Sequence, residues 1–297
     1  LNNLLQGNFD ICVYGFDGYE IPNIMTQHSR YSLPIYNATR PKNYFVLQGG
    51  VNDIAFSALT AQQLADRMQN GIDEASGDGF TTVVNTITAF DEPPLHDETL
   101  RLDANTIIRG VTFNADRVAD IGGRSEFNSL AACANRTFYY IDSIHLTTKG
   151  HLLWAVEILK SIGTDTGLSL LACWTFLEDS FIAGENYLPI NIPFGGTGTK
   201  SYEWFIDNVS VSTSQNPTLI FTGGAHTIRL EVTTVANGMV SFERTIYVNL
   251  NGNINGGVIA PAVSNILADG SIDLLASGVT SPIWRKLSGS GSLSGVS

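Results

Sequence analysis

The chain is poor in cysteine, in cations and in long apolar runs. Only three cysteines, Cys12, Cys133 and Cys173, occur in 297 residues. They lie far apart and none forms a C-x-x-C pair, which removes the spacing that zinc sites and dithiol redox centres need. Their odd number argues against a disulfide framework, so buried thiols are the expectation. Lysine and arginine number 16 against 28 acidic residues, a net charge of −12. A surface of that sign repels phosphate backbones and anionic bilayers, so neither nucleic acid nor membrane is expected as a partner. No apolar run is long enough to span a bilayer. The start, Leu1-Asn2-Asn3, has no initiating Met and no charged-then-apolar secretion pattern. The end, residues 289–297, breaks off in mid-pattern, so both ends read as cut. Gly195-Gly196-Thr197-Gly198-Thr199-Lys200 has glycines and a lysine but no helical pattern behind it, and reads as a turn rather than a phosphate cradle. Neither a metal nor a cofactor is expected.

What the chain does have is apolar content, 43%, and an order to it. The length suggests about two domains. Residues 1–7 read as the tail of a helix and 9–14 as a strand closed by Gly15-Phe16-Asp17-Gly18. Residues 21–27 suit a short helix. Residues 44–48 form an almost wholly apolar strand, as expected where both sheet faces are covered. Leu59, Leu64, Met68 and Ile72 recur at helical spacing within 57–76, and Gly77-Asp78-Gly79 is the stop. Residues 80–88 and 117–121 read as strands, 97–112 and 147–162 as helices. Strands alternating with helices define an α/β fold of three layers, with a parallel sheet between helices. Sites in such sheets gather at the carboxyl ends of the strands.

After residue 164 the texture changes. Residues 168–187 are apolar without a helical face. Beyond them β-branched and aromatic residues alternate with polar ones in 201–207, 218–221, 226–232 and 242–248, with Gly223-Gly224 as a turn. Short strands separated by turns predict an all-β sandwich, with Trp204 as a core plug. Tyr202-Glu203-Trp204, Asn216-Pro217, Phe221 and the strand 226–232 resemble a PKD-type immunoglobulin-like module, although Asp207-Asn208-Val209 replaces its usual acidic turn. Residues 251–297 resemble the first half of a second bacterial immunoglobulin-like module. The expected domains are thus 1–163, 164–250 and a partial 251–297.

Two stretches carry chemistry. In Asp142-Ser143-Ile144-His145-Leu146 a carboxylate stands three residues before an imidazole, just ahead of an apolar helix. On one short loop the acid can hold one ring nitrogen while the other faces a cleft, the base-plus-orienter half of a nucleophilic hydrolase. Taken alone, such an acid and imidazole read as a loop pair. The second stretch, Gly49-Gly50-Val51-Asn52-Asp53, follows the buried strand directly; alone it reads as a strand-end turn. His151 lies inside the start of the last helix and reads as structural. His28, His96 and His226 have no partner pattern and read as surface or loop residues.

Residues 1–163 resemble the SGNH hydrolase (GDSL esterase) superfamily. Gly50-Val51-Asn52-Asp53 matches its G-x-N-D block, Asp142-Ser143-Ile144-His145 its D-x-x-H block, and Gly18 its lone oxyanion glycine. The resemblance implies a flavodoxin-like sheet and ester hydrolysis through an acyl-enzyme. It makes His145 the base and Asp142 its orienter, with the Asn52 amide and the Gly18 N–H as oxyanion donors. The nucleophile departs from the pattern: no Gly-Asp-Ser occurs anywhere in the chain. Placing residues 9–14 as the first strand would put Asp17 where the serine belongs and leave no oxyanion-glycine block before Gly50. Placing them as the second strand fits better, with the first strand and its serine upstream of Leu1. The expected substrate is a small ester or acetylated glycan, and the appended sandwich modules favour an extracellular or cell-surface setting. The other reading is a degenerate hydrolase domain used for binding or adhesion, with immunoglobulin-like spacers.

Overall fold

The computed structural model describes residues 10–165 and 167–249, and the backbone of two short paired strands, Val258–Ala260 and Leu275–Ser277. The helix tail expected over 1–7 and most of the second module expected over 251–297 lie outside the described residues.

The first part is built on three parallel strands. β1 (Tyr44–Leu47), β2 (Thr81–Asn85) and β3 (Arg117–Ala119) pair in that order, with β2 in the centre. The alternation of side chains along β2 splits the core in two. Val84 packs with Leu64, Met68 and Ile72 of α3 (Ala61–Gly77) and Ala104 and Ile108 of α4 (Glu98–Arg109). Val83 packs on the other face with Leu153, Val156 and Leu159 of α5 (Thr148–Ile162). Helices therefore cover both faces, as the alternating pattern predicts.

Each long helix starts where its sequence offers a cap. Thr60 and Gln63 form a reciprocal capping box on α3, Gln63 N donating to Thr60 Oγ1 at 3.2 Å and Thr60 N to Gln63 Oε1 at 2.9 Å. Asp97 Oδ1 accepts from Leu100 N at 2.8 Å at the start of α4, and Thr147 caps α5.

Three expectations fail here. Residues 10–14 are not a strand among the described residues: Cys12 and Val13 are exposed, Val13 by 81%, and the segment has no ladder partner. Cys12 is accordingly not the buried thiol that was expected, unlike Cys133 and Cys173. Nor is β1 covered on both faces. Among the described residues it is an edge strand, α5 lies over β2 and β3, and Val46 is left 37% exposed.

The second part is an immunoglobulin-like β-sandwich. One sheet runs β5 (Phe181–Ile182), β12 (Gly238–Asn249), β11 (Gly224–Thr234), β8 (Ser201–Ile206), β9 (Val209–Ser212). Its spine is the long β11–β12 hairpin, in register from Gly224↔Val248 to Thr234↔Gly238. Facing it are the antiparallel pairs β4 (Leu171–Thr175) with β7 (Ile190–Phe194) and β6 (Asn186–Tyr187) with β10 (Leu219–Ile220). Trp204 is fully buried as expected, and so is Trp174, their rings meeting edge-to-face at 5.5 Å.

The β4–β7 ribbon belongs to both cores. Ala172 and Trp174 face the sandwich, whereas Cys173, Ile192 and Phe194 pack with α5. The turn after it demands glycine: Gly195 has φ 59° and a Cβ there would stand 1.9 Å from Ser169 O.

Candidate functional site

The carboxyl end of β1 runs into the loop that carries Asn52, and the other candidate residues lie on segments outside the three strands. After β1, Gly50 takes φ 99° and starts the short helix α2 (Val51–Phe56). A Cβ on Gly50 would meet Ile87 Cδ1 at 2.6 Å, so this glycine lets the loop after β1 lie against the loop after β2. The segment after β2 bonds in turn to the Asp142–His145 loop, Asp91 N donating to Ser143 O at 3.1 Å.

That loop is a tight turn. Ser143 has φ 60°, and Tyr140 N donates to His145 O at 2.9 Å across its base. Asp142 organises it: Oδ1 accepts from the backbone N–H of Ile144 at 2.9 Å and of His145 at 3.0 Å, and Oδ2 lies 2.9 Å from His145 Nδ1. Partial burial of the Asp142 carboxyl works against its charge, but the Ile144 N–H, the imidazole and the His145 N–H outweigh it and hold the group down at about 2. Ile144 points the other way and packs on the core with Ile54 and Phe90. The imidazole is left 69% exposed, with Nε2 bonded to nothing among the described residues.

Asn52 is bonded to the segment that carries Gly18. Asn52 Nδ2 donates to Tyr19 O at 3.0 Å, which commits one amide hydrogen and leaves the other. Gly18, next in the chain, has φ 69° and open space around it. The next two residues are stapled as well. Glu20 Oε2 accepts from Ser57 Oγ at 2.7 Å and Arg67 Nη1 at 2.5 Å. Ile21 N, at the start of α1 (Ile21–Met25), donates to Asp53 Oδ2 at 2.9 Å, and Asp53 Oδ1 takes Arg67 Nη1 at 2.7 Å. Asp53 is fully buried. Its burial pushes the carboxyl up, against the pull of Arg67 and of the Ile21 N–H. The hydrogen bonds from Ser57 and Arg67 hold Glu20 down. The Arg67 clamp escapes sequence reasoning, because Glu20, Asp53 and Arg67 share no spacing signal.

A shallow cleft of about 380 Å³ lies between Ile54–Leu59 and the segment Pro94–Leu100. A second hollow, of about 350 Å³, lies on the sandwich and involves Lys200, Glu203 and Glu231. Neither is lined by His145 or Asn52. Among the described residues no group of three or more His, Cys, Asp or Glu is placed to hold a metal ion.

The other histidines divide. His151 is structural, Nδ1 lying 3.0 Å from Thr147 O with the ring stacked on Trp154. His28 and His226 are not the surface residues that were expected. His28 is buried between Phe45 and Phe80, with Nε2 3.0 Å from Asp78. His226 is buried with Nδ1 2.7 Å from Asp207 and Nε2 2.8 Å from Thr222 O. In both cases one ring nitrogen is tied to an acid, Asp78 for His28 and Asp207 for His226.

No family model matches the chain, and no curated protein matches it. Among solved structures, part of it is similar to the PKD1 domain of the Vibrio cholerae metalloprotease PrtV, at 23% identity and a TM-score of 0.24, over 28% of this chain and 99% of that one. The PKD1 domain of Vibrio anguillarum Epp is similar at 22% identity and a TM-score of 0.24, over 28% of this chain and 96% of that one. A structure of carbohydrate-binding modules from the β-sandwich superfamily is similar at 22% identity and a TM-score of 0.25, over 32% of this chain and 45% of that one. These are likenesses of fold over part of the chain.

Proposed function

We propose that residues 10–165 supply the base, its orienter and the oxyanion donors of a flavodoxin-like serine esterase, acting on an acetylated glycan or related small ester outside the cell or at its surface. The observation that carries this reading is the Asp142–His145 pair, with Oδ2 on Nδ1 at 2.9 Å and the imidazole open to solvent. Asp142 fixes the tautomer with the proton on Nδ1, so Nε2 is free to take a proton from an attacking hydroxyl and return it to the leaving alcohol. Charge that develops on the carbonyl oxygen is met by the remaining Asn52 amide hydrogen and the Gly18 N–H, each worth about 3 kcal/mol in such a site. The nucleophile is not part of this assignment, since the chain holds no Gly-Asp-Ser.

The test is hydrolysis of p-nitrophenyl acetate by the full-length product of the coding sequence, against its His145→Ala variant. A loss of about 10³-fold or more is expected; equal rates reject the assignment. One observation favours a second reading, a hydrolase-like scaffold used for binding or adhesion: no hydroxyl or thiol among the described residues reaches His145 Nε2. A coding sequence without a strand ending in Gly-Asp-Ser ahead of Leu1 decides for that reading.

A further inference from the structure

We propose that Arg136 is a positioning residue for the Asp142–His145 pair: its guanidinium clamps the hairpin that carries the pair and sets how the carboxylate meets the imidazole. The link to ester cleavage rests on the function proposed above; the hold on the pair does not.

The pair sits at the tip of a small hairpin. Tyr139 bridges Leu146 across its stem. Thr147 N donates to Phe138 O at 2.9 Å below that bridge, and Ser143 N donates to Tyr140 O at 3.0 Å within the tip. Burial does little to hold the tip, since Tyr140 is 54% and Ile141 90% exposed. Its backbone is also strained: Ser143 takes φ 60°, a region that a residue with a Cβ adopts at a cost. Hydrogen bonds therefore have to fix the tip. Asp142 supplies two from within, to the N–H groups of Ile144 and His145. Asp91 N supplies one to Ser143 O from the segment after β2.

Arg136 supplies the third hold, from the foot of the stem. Its Nη1 donates to Tyr140 O at 2.5 Å, to Ser143 Oγ at 3.2 Å and to Cys133 O at 3.2 Å. Two of these acceptors flank Asp142 in the chain, Tyr140 two residues before it and Ser143 directly after it. The third belongs to a fully buried residue of the core that packs on α5. One guanidinium nitrogen thus ties both sides of Asp142 to an anchored element. All three acceptors are uncharged, so the contact directs the backbone rather than neutralising an acid. Fixing the backbone on either side of Asp142 fixes the line from Oδ2 to His145 Nδ1, which is 2.9 Å long. A base held by its orienter at the wrong angle presents its other nitrogen at the wrong place, and misplacement of about 1 Å can cost about 10²-fold in rate.

The experiment compares Arg136→Met, which keeps the apolar stem and removes the donors, with Arg136→Lys, which keeps one charged donor group. The first readout is the NMR titration of the Asp142 carboxyl in this chain. The parent should titrate at about 2. Arg136→Met should raise that midpoint by about one pH unit, a tenfold change, and Arg136→Lys by less. Ser143→Ala, which deletes one acceptor and leaves the guanidinium, should move it the same way. Water can replace the lost donor at the exposed tip, so Arg136→Met should keep the parent's circular dichroism. If it does not fold, Arg136→Lys and Ser143→Ala carry the test, and no movement in either overturns the proposal. The second readout is hydrolysis of p-nitrophenyl acetate by the full-length product of the coding sequence. There kcat should fall about 10- to 100-fold in Arg136→Met with KM unchanged, and Arg136→Lys should recover part of it. A folded Arg136→Met whose Asp142 titrates as in the parent overturns the proposal, whether or not the protein cleaves esters. So does an unchanged kcat where His145→Ala removes hydrolysis. If His145→Ala cleaves as fast as the parent, the esterase reading falls and the titration alone decides the place of Arg136. An arginine that only stabilised the fold would lower the unfolding midpoint and move neither the titration nor kcat.

Discussion

Replacing Asp53 with asparagine should weaken the tie between α2 and the segment after Gly18 while leaving the shape of the site almost unchanged. The carboxylate accepts two donors, the Ile21 N–H through Oδ2 and Arg67 through Oδ1, and it is wholly shielded from water. An asparagine has one oxygen, so its amide nitrogen must face either the Ile21 N–H or the guanidinium, and that donor is left unsatisfied. A buried donor without a partner costs about 1–3 kcal/mol. Breaking a buried ion pair from one side costs about 3–5 kcal/mol, here reduced because Arg67 is 27% exposed and keeps Glu20. We expect a loss of about 3 kcal/mol. Urea denaturation followed by circular dichroism measures it as a lowered midpoint with an unchanged slope. The cycle with Arg67→Met should show coupling, because Asp53 and Arg67 are in direct contact and each change removes the same ion pair. A loss below about 0.5 kcal/mol, the ordinary range for an unimportant surface change, would refute the clamp.

Three further outcomes follow from single contacts. The Asp142 carboxyl should titrate at about 2 by NMR and move upward in His145→Ala; a midpoint at the usual aspartate value would contradict the geometry. Because its folded value lies below the unfolded one, its contribution to stability is present above about pH 4 and fades as pH falls toward 2. Trp174→Ala should cost about 3–5 kcal/mol in chemical denaturation, from the cavity it opens against Trp204 and Phe176. Gly195→Ala should destabilise more than Gly198→Ala, since both have positive φ but only the first drives a Cβ into Ser169 O; equal losses, near the ~1–2 kcal/mol of left-handed backbone alone, would refute the close approach.

What the sequence reveals here depends on whether a residue's role is written in local spacing. The helices show because their apolar residues recur with their caps beside them, as Thr60 and Gln63 do for Leu64, Met68 and Ile72. The Asp142–His145 contact shows because three residues of chain bring the groups together. Strand β4 escapes because both its faces are buried, in two different cores, so Ala172-Cys173-Trp174 has no alternation to read. Residues 10–14 mislead in the opposite sense: they carry strand-forming residues, but among the described residues no strand pairs with them. The Arg67 clamp and the buried His28 and His226 depend on partners 14 to 50 residues away, such as Asp53, Asp207 and Asp78, and only the tertiary fold brings those together.

The shared ribbon has a consequence for how the two parts hold together. Cys173, Ile192 and Phe194 lie on the face of β4–β7 that packs on α5, with Leu153, Val156 and Leu159. Gly195 N donates to Gly163 O at 2.8 Å, fastening the end of β7 to the end of that helix. A cut just after Gly163 would therefore strip one wall from the first core, exposing apolar faces of α5 worth about 25 cal/mol for each Å² bared. It would also leave the matching face of the sandwich in water. The two parts should unfold as one cooperative transition by calorimetry, and the first part produced alone should unfold at lower temperature than within the whole. Two separate transitions, with the first at the same temperature in isolation, would mean that the ribbon contributes nothing across the junction.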